Sequence, residues 1–275
     1  MKYNKTLIAG PWVGEFGWEL FAWQAYIRSL SRSYDKTIVI SRENSKPLYE
    51  DFCNQFISYN PVGGLADSFF MYDLDIKKEF RKIITDNNVV LDKNTTVLFP
   101  RRIGFPPATH FSEAIDFGKL SIAPEYIKFG EEQNKKYDYI FHIRSRQLRQ
   151  EDNWSLENWS SLKQMLNSDK IACIGTKKES GWIEGTDDLR DLNLGDLFSV
   201  LRNSDFVFGP SSGPMHLSSL CGVPHIVWSI SNNKVRYEEN WNPLRTKILF
   251  LDEYSWHPSA EYVYNKFVNW KSKHE

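Results

Sequence analysis

Short apolar runs alternate with amphipathic stretches along most of the 275-residue chain. The apolar runs predict buried β-strands, and stretches with apolar residues three or four positions apart predict α-helices. In the stretch 18–30, for example, Leu20, Trp23 and Ile27 fall on one helical face. Strands are predicted over 6–10, 36–41, 56–59, 95–100, 137–143, 170–175, 205–209, 224–229 and 246–252. Helices are predicted over 18–30, 74–87, 155–166, 194–203, 214–221 and 259–271, with another starting near Pro47.

This order of strands and helices indicates parallel sheets of the doubly wound kind. Two such runs are separated by a loop-rich stretch near residue 125, where proline and glycine recur. We therefore expect an α/β protein with two Rossmann-like domains facing a cleft, one over 1–125 and the other over 126–258. Residues 259–275 are expected to add a C-terminal helix.

Composition and charge restrict the class of protein. Lysine and arginine number 34 against 35 aspartates and glutamates, so the formal net charge is −1. This balance argues against a strongly basic nucleic-acid coat, although a local basic patch stays open. The three cysteines lie in apolar segments, which predicts buried thiols rather than a disulfide framework or a zinc site.

The sequence predicts neither a membrane-spanning segment nor a bound cofactor. The N-terminal stretch has no long apolar core of a signal peptide, and glycine and proline divide the uncharged run 206–233 into short pieces. We expect a cytoplasmic protein without stable membrane insertion. Asp73 and Asp75 spell the Asp-x-Asp of metal-dependent transferases, but they fall at a predicted helix start. Neither a metal site nor a cofactor is predicted.

The segment 204–229 is the strongest candidate for a ligand site. It is predicted to form a strand, a tight turn, a helix, a second turn and a strand. Ser211, Ser212 and Gly213 form the first turn, and Pro214 suits the first helical position. Free amides and the helix dipole would make this terminus an anion site at the carboxyl end of a strand. The alternative is an ordinary capped helix in a Rossmann layer.

This segment resembles the nucleotide-sugar-binding signature of the ADP-heptose:lipopolysaccharide heptosyltransferases, glycosyltransferase family nine. That signature is a strand followed by Asp-Ser/Thr-Gly-x-x-His and a helix; Ser212, Gly213 and His216 match it, while Ser211 stands at the aspartate position. The stretch 153–166 is similar to the family's Trp-x-x-Glu-x-Trp-x-x-Leu helix, and the likeness extends over about 138–230.

The resemblance implies the two-domain fold called GT-B, with the donor diphosphate held by the turn from Ser212 to His216. A helix N-terminus disfavours imidazolium, so we expect His216 to be neutral and to donate a hydrogen bond to phosphate or sugar. A packed helix histidine is the alternative. Serine at 211 removes a carboxylate that would bind sugar hydroxyls, which leaves the donor sugar open.

Basic residues follow two of the predicted strands of the second domain. Arg144 and Arg149 follow the strand 137–143, and arginine binds a diphosphate in a bidentate manner. Arg144 is the first candidate for a donor contact, followed by Arg149, with Thr176 and Lys177 in the turn after the next strand. A solvated basic loop is the alternative.

Glu15 is the first candidate for a catalytic base. It lies between Gly14 and Gly17 after the first strand, and a partly desolvated carboxylate with a raised pKa would deprotonate an acceptor hydroxyl. Gly14 and Glu15 resemble a Gly-Asp pair of the heptosyltransferases, although another alignment places Gly17 there. Glu19 is the second candidate. Both carboxylates would also simply favour a helix N-terminus.

These observations predict a glycosyltransferase that moves a sugar from a nucleotide-diphosphate donor to an acceptor hydroxyl. The resemblance implies inversion, metal independence and a bacterial surface glycan as acceptor. Arg101 and Arg102 are candidates to bind an anionic acceptor, with plain surface charge as the alternative. Three alternatives stay open: transfer to a modified base in phage DNA, a nucleotide-sugar 2-epimerase, and a non-catalytic nucleotide-sugar binding protein.

Overall fold

The computed structural model describes residues 5–62, 74–100 and 122–273. The chain divides into two compact units, Met1–Glu125 and Tyr126–Glu275. Each unit contains one parallel β-sheet, of four strands in the first and six in the second. The α/β class with two parallel sheets is therefore confirmed. Among the helices in the described ranges, none has the length and apolar character needed to cross a lipid bilayer.

The first sheet has the strand order β3-β2-β1-β4, and every neighbouring pair is parallel. Its strands are β1 (Thr6–Ala9), β2 (Lys36–Ser41), β3 (Gln55–Ser58) and β4 (Thr95–Leu98). Ile8 of β1 lies opposite Ile38 of β2 and Val97 of β4. These apolar residues form strands because both neighbours and a helix cover them, which removes their side chains from water.

Within its described residues, the first unit contains mostly short helical segments. They are α1 (Phe16–Trp18), a π-helical segment (Glu19–Trp23), α2 (Gln24–Ser31), a 3₁₀ helix (Glu43–Leu48) and α3 (Ile76–Asp86). The predicted apolar face of the first helix is buried, since Leu20, Trp23 and Ile27 are 0% exposed. The helix predicted from Pro47 is wrong: this stretch is a short 3₁₀ helix that contains Pro47, because the chain soon enters β3.

The second sheet has the order β10-β9-β8-β5-β6-β7 and is also parallel throughout. Its strands are β5 (Tyr137–Phe141), β6 (Ile171–Gly175), β7 (Asp187–Arg190), β8 (Ser204–Pro210), β9 (His225–Trp228) and β10 (Ile248–Leu251). The strand β7 was not predicted, because this edge strand has the polar sequence DDLR.

Four α-helices and three shorter helical segments complete the second unit. The α-helices are α4 (Leu156–Leu166), α5 (Leu194–Arg202), α6 (Gly213–Cys221) and α7 (Ala260–Lys271). The shorter segments are two 3₁₀ helices (Gln150–Asp152 and Ser231–Asn233) and a π-helical segment (Arg236–Asn240). Ser155 caps α4 as predicted, since its side chain accepts the Asn158 N–H at 3.2 Å.

The core of the second unit is rich in tryptophan. The rings of Trp154, Trp159 and Trp228 lie within 4.7–5.3 Å of one another. Val263 and Phe267 of α7 belong to the same core, so the C-terminal helix packs on the second sheet.

The strand order of the second sheet defines where a ligand would bind. β5 pairs with β6 on one side and with β8 on the other, because the chain runs outward to β7 and then returns to β8. Ligands of open parallel sheets bind beside the carboxyl ends of the strands at such a reversal. The residues that follow β5, β6 and β8 therefore form the first place to look for a site.

Candidate functional site

A tight turn, Ser211–Gly213, connects β8 to α6 at this edge of the sheet. Ser212 is the N-cap residue with extended backbone (φ −168°), and its side chain caps no helical amide. His216 is the residue whose N–H closes a helical bond to the Ser212 carbonyl, at 3.1 Å. Helix geometry therefore leaves the Gly213 and Met215 amides without a partner inside the helix, since Pro214 has none to offer. These amides and the helix dipole can bind an anion.

Tyr237 holds the turn in place through hydrogen bonds. The Ser212 N–H donates to the Tyr237 hydroxyl at 3.1 Å, and that hydroxyl donates to Ser211 Oγ at 3.2 Å. Ser211 is also tied to β9, because its N–H donates to the Trp228 carbonyl at 3.0 Å. Burial raises the pKa of Tyr237, so the phenol stays protonated and able to donate.

His216 is enclosed by aromatic rings. Its ring stacks on Tyr237 with centroids 4.1 Å apart, and Trp241 meets it edge-on at 4.6 Å. Burial, with the nearby charges of Arg236 and His225, holds the pKa of His216 well below its ordinary value. The imidazole is therefore neutral at physiological pH, and burial, rather than the helix terminus, is the main cause.

Arg144 lies just after β5 and is 4% exposed. Its Nη2 is 3.3 Å from Asp152 Oδ2, and its guanidinium carbon lies 5.5 Å from the centre of the Trp256 ring. Burial lowers the pKa of Arg144. Its Nε has no hydrogen-bond partner among the described residues. Arg144 is thus a buried side chain that Asp152 and Trp256 hold in place, and it is not part of a solvated basic loop.

The other predicted donor contacts lie on the exposed part of the same edge. Arg149 is exposed, and its Nε is 3.9 Å from Asp152 Oδ2. Thr176 and Lys177 form the turn after β6, where the Thr176 carbonyl accepts the Glu179 N–H at 3.1 Å. The Lys177 N–H donates to Asp191 Oδ1 at 2.9 Å, while its side chain is exposed. The predicted donor residues of the second unit therefore follow three neighbouring strands.

Glu15 lies in the loop after β1, at the carboxyl edge of the first sheet. It occupies the N-cap position of α1, but its exposed side chain makes no capping hydrogen bond. The preceding Gly14 is held tightly: its carbonyl accepts from Arg42 Nη2 at 2.7 Å, and an added Cβ would lie 2.6 Å from the Trp12 ring. An exposed carboxylate on a fixed loop is able to take a proton from a substrate.

Glu19, the second candidate base, occupies a different environment. It is 0% exposed and accepts hydrogen bonds from the hydroxyls of Ser41, Ser45 and Tyr49. Arg42 Nη1 lies 3.7 Å from its carboxylate. A carboxylate that is enclosed and fully engaged cannot reach an acceptor hydroxyl, so the prediction for Glu19 is corrected: it is a structural residue.

Several predicted residues fall outside the site or outside the described ranges. Arg101 and Arg102 lie outside the described residues, as does Asp73. Asp75 is the N-cap of α3 and accepts the N–H groups of Lys77 and Lys78, both at 3.1 Å. In the described part of the chain, no group of three or more His, Cys, Asp or Glu residues is arranged to hold a metal ion.

The sequence did not indicate the residues that contact and support the predicted site residues. They are Asp152, Trp256, Arg236, Tyr237 and Trp241. Each of these residues contacts a predicted site residue, but it is either distant from that residue in sequence or lies in an irregular segment. Neither periodicity nor a motif therefore indicates it. The aromatic content of the chain was the single available signal, because 15% aromatic residues are enough to line a site as well as a core.

Comparison with known proteins adds the fold. No family model matches the sequence, and no curated protein matches it. Among solved structures, the chain is similar to a family nine glycosyltransferase from Veillonella parvula, with 11% identity, a TM-score of 0.63 and coverage of 99% of this chain and 98% of that one. The chain has the GT-B fold.

Two further structures share this GT-B fold. The E. coli ADP-heptose lipopolysaccharide heptosyltransferase II is 14% identical, with a TM-score of 0.60 and coverage of 98% of this chain and 99% of that one. A putative UDP-N-acetylglucosamine 2-epimerase from Listeria monocytogenes is 11% identical, with a TM-score of 0.51 and coverage of 100% and 89%. Transferases and an epimerase thus share the architecture, and the residues of the site must distinguish them.

Proposed function

We propose that this protein is a glycosyltransferase that moves a sugar from a nucleotide-diphosphate donor to an acceptor hydroxyl. The observation that carries the proposal is the turn before α6, where the Gly213 and Met215 amides are open at the switch point of a parallel sheet. The similar E. coli structure is that of an ADP-heptose lipopolysaccharide heptosyltransferase, which supports a nucleotide-sugar donor here.

The chemistry at this turn is stabilisation of a leaving group. When the sugar–phosphate bond breaks, negative charge grows on the departing diphosphate, and the helix terminus, the Ser212 hydroxyl and Arg144 would face that charge. Fixed donors and dipoles stabilise such charge without reorganising during the reaction. Arg144 is already oriented by Asp152 and Trp256, so little side-chain entropy is lost when it binds phosphate.

The acceptor half of the reaction needs a base. We assign this role to Glu15, which would take the proton of the acceptor hydroxyl as that oxygen attacks the anomeric carbon. Attack from the side opposite the diphosphate gives inversion, and the protein's own donors do the work of a metal at the leaving group. A hydroxyl of a bacterial surface glycan is the proposed acceptor. DNA draws no support from the comparisons, and Arg101 and Arg102 lie outside the described residues.

A thermal-shift panel tests the donor assignment. Wild type, Gly213→Asp and the control Ser160→Asp are mixed with UDP-, GDP-, ADP-, CMP- and dTDP-sugars. The control adds the same charge on the exposed face of α4. Because a bound ligand raises the unfolding midpoint by mass action, one nucleotide should stabilise wild type and Ser160→Asp but not Gly213→Asp. Equal stabilisation of all three proteins, or of none, would contradict the assignment.

The likeness to a putative 2-epimerase makes epimerisation the second candidate, and a donor-only incubation separates the two. The donor found in the panel is incubated with the protein alone and followed by proton NMR. A transferase leaves the sugar configuration at carbon 2 unchanged and releases nucleoside diphosphate only when an acceptor is added. Conversion to the 2-epimer without acceptor would contradict the transferase. Binding without either reaction would favour a non-catalytic binding protein.

A further inference from the structure

Tyr237 lies in the π-helical segment after β9, which no sequence motif singled out. It is 0% exposed, and its side chain reaches back to the turn that precedes α6. Its hydroxyl meets the Ser212 amide at 3.1 Å and Ser211 Oγ at 3.2 Å, while its ring stacks on His216. One buried side chain therefore contacts three residues of the proposed donor site, Ser211, Ser212 and His216.

The direction of these hydrogen bonds matters. The Ser212 N–H can only donate, so the Tyr237 oxygen accepts from it, and the phenolic hydrogen is left to donate. Ser211 Oγ, at 3.2 Å, is a nearer acceptor for that hydrogen than the Ser212 carbonyl at 3.5 Å. Ser211 Oγ then has an occupied lone pair, and its own hydrogen must point to another acceptor. Because Ser211 is partly exposed at the carboxyl edge of the sheet, its hydrogen can reach an acceptor that lies outside the turn, such as a ligand.

The Ser212 amide is used differently from the amides that follow it. Its hydrogen points at a fully buried phenol and is not available to a ligand. A phosphate at this helix terminus would meet the Gly213 and Met215 amides and the Ser211 hydroxyl instead. The Tyr237 hydroxyl thus occupies the Ser212 amide in place of a ligand. It also orients the neighbouring Ser211 hydroxyl as a hydrogen-bond donor.

We propose that Tyr237 is a positioning residue of the donor site, whose hydroxyl orients the Ser211 hydroxyl so that Ser211 donates its hydrogen to a phosphoryl oxygen of a nucleoside diphosphate. This inference rests on the proposed function. It assigns to Ser211 a role that a carboxylate at the same position could not fill, because a carboxylate accepts hydrogen bonds and repels phosphate.

A double-mutant cycle tests the coupling between the two hydroxyls. ADP, GDP, UDP, CDP and dTDP are titrated calorimetrically into wild type, Ser211→Ala, Tyr237→Phe and the double variant. Phenylalanine keeps the ring against His216, so only the hydroxyl is removed. We expect Tyr237→Phe to weaken binding of the preferred nucleotide about five- to tenfold, and Ser211→Ala to weaken it at least as much. In the Ser211→Ala background, Tyr237→Phe should change the affinity by less than about twofold.

Tyr137→Phe is the matched control. Tyr137 is also buried, and its hydroxyl donates to Asp187 Oδ2 at 2.7 Å at the start of β5, the opposite edge of the sheet. This variant should bind nucleotide like wild type while losing a similar amount of thermal stability. An unchanged affinity of Tyr237→Phe, or the same loss in both backgrounds, would overturn the inference alone. Failure of every nucleotide to bind wild type would overturn the proposed function with it.

Discussion

The buried carboxylate of Glu19 offers the sharpest quantitative prediction. In Glu19→Gln, the side chain keeps its size but replaces one carboxylate oxygen by an N–H₂ group. Glu19 Oε1 accepts the Ser41 and Tyr49 hydroxyls, and Oε2 accepts the Ser45 hydroxyl. Whichever oxygen is replaced, at least one buried hydroxyl faces a donor instead of an acceptor, and the Arg42 guanidinium loses its charged neighbour at 3.7 Å.

The expected cost follows from these contacts. Removing one partner of a buried ion pair costs about 3–5 kcal/mol, because the other charge stays buried without its counter-charge. A whole domain is stable by only about 5–15 kcal/mol. Glu19→Gln should therefore lower the free energy of unfolding of the first unit by about 3–5 kcal/mol, a large part of its stability.

Urea-induced unfolding measures this loss, and amide hydrogen exchange of β2 assigns it to the first unit. Glu15→Gln is the matched control, since the same change at an exposed side chain should stay within about 0.5 kcal/mol. A loss below about 1 kcal/mol for Glu19→Gln would show that this carboxylate is not the centre of a buried network.

Three further predictions concern catalysis, pH and the turn after β6. Glu15→Gln should lower the rate of sugar transfer about 10²- to 10⁴-fold at saturating donor, measured as nucleoside diphosphate release; an unchanged rate would exclude Glu15 as the base. Burial lowers the pKa of His142 and His225 to about 4 and that of His216 well below its ordinary value, so below pH 6.5 the unfolded state binds more protons and stability falls. The loss should reach about 1.4 kcal/mol per pH unit for each histidine, and His225→Gln should reduce that slope by about one third in urea unfolding at pH 7.5 and 5.5; an unaltered slope would contradict this. Gly175→Ala should lower thermal stability by about 1–3 kcal/mol, because Gly175 has φ +121° and an added Cβ would lie 2.0 Å from Ser180 Oγ. The control Gly195→Ala, a change inside a helix, should not be destabilising. Equal melting points for both variants would contradict this prediction.

The apolar strands were predictable because a continuous apolar run in the sequence directly indicates a buried strand. Both faces of β2 and β8 are covered, so each is a nearly continuous apolar run, which few other structures produce. The edge strand β7 has a polar sequence, because one side of an edge strand has no neighbour and its residues face water. Its pairing with β6 depends on the backbone and is not encoded in a hydrophobic pattern.

The site was only partly predictable, for a different reason. The turn Ser211–Gly213 is local, so its residue types indicate its geometry. Glu19 and Tyr237 depend on partners about 25 residues away, and both lie in π-helical segments, where the side-chain spacing of an α-helix does not hold. Sequence could therefore place Glu19 near a helix start but could not show that its carboxylate points into the core.

The most direct test of the central claim is a crystal structure of the protein with the nucleoside diphosphate that stabilises it most. We expect a phosphoryl oxygen about 3 Å from the Gly213 or Met215 amide nitrogen, with Ser211 Oγ and the Arg144 guanidinium in contact with the same diphosphate. A diphosphate bound away from the N-terminus of α6, with this turn facing only water, would contradict the claim.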